Sequence, residues 1–93
     1  MVTKLVEVVK SGNDINSRSS YTLREVYVNP EQVTMLRENP VMSNLLQEGM
    51  LPEEIDGRVE FTRIYLNTGV DLSVVGSPAV IETKLRGKQL LRS

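Results

Sequence analysis

Apolar and polar positions alternate unevenly along this chain, and the pattern divides it into short segments. Val2 to Val9 is dense in valine, with Leu5 among them and Lys4 and Glu7 interrupting the run. Side chains branched at Cβ fit a pleated surface better than a helix, so this segment predicts a first strand. The polar run that follows, "KSGNDINSRSS", is built of loop-forming residues and predicts a mobile tip over 11–20. Tyr21 to Val28 predicts a second strand. Asn29 can then cap a helical turn, Pro30 fits the first helical position, and Glu31 and Gln32 suit a first turn. Val33 to Leu36 returns to strand composition, which limits the helix to a single turn. A connector of this kind changes the chain's direction sharply without a glycine hairpin, as strongly bent small barrels require.

Beyond Asn39 the period changes. Val41, Met42, Leu45 and Leu46 fall at helical spacing behind Pro40, and Gly49 stands where a helix C-cap belongs. "MLPEEIDG" predicts a loop. Arg58 to Leu66 predicts a fourth strand in which Val59 and Phe61 share one phase, and Ile64 and Leu66 the other. That slip near Thr62 and Arg63 implies either a bulge or burial on both faces. Asn67-Thr68-Gly69 has the residues of a hairpin turn, and Leu72 to Val75 predicts a short fifth strand. Ser77 before Pro78 predicts the start of a closing helix whose Val80, Ile81 and Leu85 share a side. Gly87 ends or weakens it, and Leu90 and Leu91 follow in a tail over 87–93.

The expected fold is therefore α+β and β-dominated. It is either a strongly bent antiparallel five-stranded sheet or a small SH3/Sm-like barrel, with a short internal helix and a C-terminal helix. With 93 residues the chain is expected to form a single domain, 1–93. A chain this small buries only about 60–65% of its unfolded surface. It has no cysteine and no histidine for a disulfide or structural metal. Self-association is a common way to recover such missing burial, so a homo-oligomer is expected. The valine-rich start lacks a small-residue cleavage site and no apolar run approaches the length of a membrane span, so a cytoplasmic protein without membrane contact is expected.

The pieces "VYVNPEQVTMLRE", "FTRIYLNTGVDLSVVG" and "SPAVIETKL" together resemble the small bacterial FlbD-like family associated with flagellar loci. The resemblance runs from Val26 to Leu85, apart from an insertion at Pro40 to Gly57. The overall texture also resembles uncharacterised small proteins of tailed phages of marine cyanobacteria. Both resemblances imply a short β-rich protein and carry no catalytic residues with them.

Charge is distributed unequally although the net value is only −1. Leu23 to Glu60 holds eight acids against three bases, while Lys84 to Ser93 holds four bases and no acid. Lacking histidine and cysteine, the chain has no ordinary general base near neutral pH and no thiol nucleophile. No catalytic residue, cofactor site or metal site is expected, and Glu53, Glu54 and Asp56 read as a solvated acidic loop rather than a cation site. The expected function is a non-enzymatic interaction or structural module, with a protein partner or a second copy of the chain. The alternative is a nucleic-acid-binding regulator with a small β-barrel, using strand aromatics (Tyr21, Tyr27, Tyr65, Phe61) together with the basic residues of the tail. The candidate interaction residues are Arg24, Arg63, Lys88, Leu90, Leu91 and Arg92. A basic groove joining Arg24, Arg63 and Lys88 would favour the alternative.

Overall fold

The five strand signals and the helix-opening signals become elements in the computed structural model, which describes residues 2–11 and 20–87. The strands are β1 (Thr3–Ser11), β2 (Ser20–Val28), β3 (Val33–Glu38), β4 (Phe61–Leu66) and β5 (Asp71–Val75). The helices are α1 (Pro40–Gln47) and α2 (Pro78–Arg86), and a 3-10 turn spans Pro30–Gln32. The loop expected between β1 and β2 and the tail residues Lys88, Leu90, Leu91 and Arg92 lie outside the described residues.

All three helical starts follow one rule, a side-chain oxygen accepting an otherwise unpaired N–H ahead of a proline. Asn29 accepts from Glu31, Asn39 from Met42 and Ser77 from Val80. The helices end at glycines: Gly49 lies just past α1 with φ 75°, and Gly87 follows α2 with φ 37°. These are conformations that side chains with a Cβ resist.

The strands form one antiparallel sheet in the order β2-β1-β5-β4-β3. β2 and β3 are therefore consecutive in sequence yet occupy opposite edges. In a flat sheet those edges would stand about 19 Å apart, four spacings of roughly 4.8 Å. The chain from Val28 to Val33 spans at most about 17–18 Å even fully extended, and its 3-10 turn shortens that reach. The Asn-Pro connector thus forces the sheet to curl. The curl stops short of a barrel, because no ladder joins β2 to β3. Of the two expected forms, the bent open sheet is the one adopted.

Packing lies on both faces. The inner face gathers Leu5, Val28, Ile64 and Val74 against Ile81 of α2. On the outer face, Val8 and Phe61 pack beneath Leu51, with Met42, Leu45 and Leu46 of α1 and Ile55 of the following loop around them. Phe61, Thr62 and Ile64 are all fully buried, so the phase slip in β4 reflects burial on both faces. The register irregularity sits instead in β3, between Val33 and Met35. The fourth strand also starts at Phe61 rather than Arg58. Asp56 accepts the Arg58 N–H through its side chain (2.8 Å) and the Val59 N–H through its carbonyl (3.1 Å), which folds that stretch into a turn.

Candidate functional site

Register assigns each charged strand residue to a face. Arg24 is opposite Glu7, Glu7 opposite Val74, and Val74 opposite Thr62. Residues directly opposed across a ladder share a face, so Arg24 belongs to the inner-face row. Arg63, one residue after Thr62, belongs to the outer face. The two expected interaction residues therefore do not meet, and no groove joins them. Arg24 is also neutralised: its Nη2 donates to Glu7 Oε1 at 3.1 Å. The Glu7 side chain is only 11% exposed, so this contact compensates a largely buried carboxylate. Glu7 interrupts the apolar run in the sequence because a charge on the neighbouring strand awaits it.

Arg63 has different company. Directly across the β3–β4 ladder stands Arg37. Among the described residues, neither guanidinium has a carboxylate within 4.0 Å. Their side chains line a cleft of about 250 Å³ together with Glu38, Asn39, Pro40, Val41 and Tyr65. Directly opposed like charges destabilise a sheet. Arg37 and Glu38 are exposed, while Arg63 and Tyr65 are half-buried.

The start of α1 forms one wall of the cleft, and Asn39 fixes it there. This residue is 2% exposed, and its backbone N–H donates to the Phe61 carbonyl at 3.0 Å. Its Nδ2 donates to Ser73 Oγ at 2.9 Å, while its Oδ1 accepts the Met42 N–H at 3.3 Å. The helix start is thereby pinned to β4 and β5 beside Arg63. Pro40 has no N–H, and the Val41 N–H at the mouth of the cleft makes no backbone or side-chain hydrogen bond among the described residues. The positive end of the helix dipole adds to the two guanidinium charges.

The aromatics divide. Phe61 is core at 0% exposure, Tyr21 and Tyr65 are half-buried, and Tyr27 is 61% exposed on the edge strand β2. The acidic loop residues Glu53, Glu54 and Asp56 are all exposed. Arg58 donates to Asp56 through its side chain and its backbone, which holds the Asp56 carboxyl below the ordinary aspartate value of 3.8. No group of three or more acidic, histidine or cysteine side chains among the described residues is placed to hold a metal ion.

Sequence reasoning singled out Arg63 and Tyr65 but passed over Arg37. The only signal for Arg37 lies in the register of two strands that 22 residues separate. Comparison with family models, with curated proteins and with solved structures returned no significant match.

Proposed function

We propose that this protein is a non-enzymatic interaction module that assembles with copies of itself through its open sheet edges. The observation that carries this reading is the unclosed sheet. Among the described residues β2 pairs only with β1 and β3 only with β4, so each presents a row of backbone groups able to extend the ladder. β2 is the longer edge at nine residues, and it lacks the usual protections. It contains no proline, and its charges are matched within the sheet: Arg24 by Glu7, and Glu25 by Lys4 at 3.5 Å. Tyr27 on β2 and Met35 on β3 add apolar surface at 61% and 39% exposure. With neither histidine nor cysteine, the chain has no ordinary general base near neutral pH and no thiol nucleophile, which supports the non-enzymatic reading. No helix among the described residues is long and apolar enough to cross a membrane.

Light scattering coupled to size exclusion tests this directly. The expected mass is a multiple of 10.5 kDa that falls on dilution. Tyr27→Lys, which puts an unmatched charge on the longer edge, should shift the distribution toward the monomer. A wild-type chain that stays at 10.5 kDa at the highest soluble concentration would sink the proposal.

A further inference from the structure

The cleft between α1 and the β3–β4 ladder presents a problem that the assembly reading leaves open. Two guanidinium groups are held opposite each other, in a chain whose surrounding segment is acidic, and no described carboxylate neutralises them. Arg24 shows the other outcome within the same sheet, since its partner Glu7 was supplied across the strand. A structural role would be met better by a carboxylate at either position 37 or 63. Opposed arginines instead form a fork that a doubly liganded anion can bridge, because each guanidinium presents paired donors to phosphate or carboxylate oxygens.

Tyr65 narrows the ligand class. It follows Arg63 by two residues on the same strand, so it projects from the same outer face about 7 Å further along. It lines the same cleft, and the exposed Met35 is its partner on β3. An anion-binding fork beside a half-exposed aromatic ring and a thioether matches one nucleotide unit. The phosphate would meet Arg37 and Arg63, and the base would stack on Tyr65. Glu38 at the rim and Asp71, opposite Tyr65 on β5, keep the surroundings from being generally basic. The footprint is consequently short.

We propose that the Arg37–Arg63–Tyr65 cleft binds single-stranded nucleic acid through one or two phosphates and a stacked base. An acidic peptide would use the same arginines without needing Tyr65, and that difference enters the test.

The experiment is fluorescence anisotropy of a labelled oligopyrimidine strand titrated with the full chain over a range of salt. Inorganic phosphate and an unlabelled poly-glutamate peptide serve as competitors. Binding should weaken with salt at a slope of about −0.7 per phosphate contacted, between about −0.7 and −1.4 in all. Arg63→Ala and Tyr65→Leu should each weaken it about tenfold or more, in line with the loss of one charged contact or one stacked base.

Arg37→Glu separates binding from folding. It replaces a repulsive pair with an attractive one, so it should raise the melting temperature while abolishing binding. The proposal is overturned by an unchanged anisotropy at low salt, by wild-type affinity in Arg37→Glu, or by poly-glutamate competing as well as unlabelled strand. Wild-type affinity in Tyr65→Leu overturns it equally. These outcomes compare titration midpoints rather than anisotropy amplitudes, and Tyr27→Lys on the opposite edge strand β2 should leave the midpoint unchanged, so failure of assembly and failure of strand binding are told apart.

Discussion

Asn39 donates from its Nδ2 to Ser73 Oγ at 2.9 Å, joining the start of α1 to the fifth strand across the intervening β4. The same side chain caps α1 through Met42. One buried amide therefore decides where the outer-face helix sits, and with it the wall of the cleft. Replacing Asn39 with alanine removes a cap worth about 1 kcal/mol and a buried hydrogen bond worth about another. Asn39→Ala should lose about 2 kcal/mol in urea denaturation. Ser73→Ala leaves the buried Nδ2 without its acceptor and should lose about 1–2 kcal/mol by the same measurement.

Gly76 is fixed by its conformation and by its neighbour. Its φ is 125°, and a Cβ built there would stand 3.0 Å from Ile81 Cδ1 in the inner core. It also joins the end of β5 to β4: its N–H donates to the Glu60 carbonyl and its carbonyl accepts the Thr62 hydroxyl, both at 2.8 Å. Gly76→Ala should destabilise by more than about 1 kcal/mol. Gly57, with open space around it and no positive φ, is the control. Gly57→Ala should stay within about 0.5 kcal/mol of the wild type. Paired thermal melts check both.

Arg24 and Glu7 make an asymmetric pair. Arg24 is 63% exposed along its side chain, so solvent screens the attraction, whereas Glu7 is nearly covered. Arg24→Ala should cost about 1 kcal/mol, chiefly because it strands a covered carboxylate. Adding Glu7→Gln to Arg24→Ala should recover part of that loss, since an amide is cheaper to bury uncharged. A double-mutant cycle in urea measures the coupling.

Asp56 should titrate below the ordinary aspartate value of 3.8, because Arg58 donates to its charged form. A carboxyl whose pKa is depressed by folding adds stability above its unfolded pKa and loses it as pH falls through the folded one. The contribution is therefore fully present at neutral pH, and its loss is confined to the acid side of 3.8. Carboxyl-detected NMR titration of wild type and Arg58→Ala checks it. The Asp56 midpoint should rise toward 3.8 in the variant.

The sequence alone determined what depends on a few consecutive residues. Asn29-Pro30, Asn39-Pro40 and Ser77-Pro78 each opened a helical turn, since a cap oxygen and a fixed proline φ act within four residues. The Asn67-Thr68-Gly69 turn closed β4 onto β5 for the same reason, with Gly69 at φ 93°. The connector 29–32 even dictated the curl of the sheet, through its length. Tertiary structure decided the rest. It paired β1 with β5, left the β2–β3 seam open, placed α1 on the outer face and set Arg24 beside Glu7 but Arg37 beside Arg63. Those outcomes depend on how much apolar surface each arrangement buries between segments distant in the chain. No local run of residues contains that sum, and a single step of strand register would have given every arginine a different neighbour.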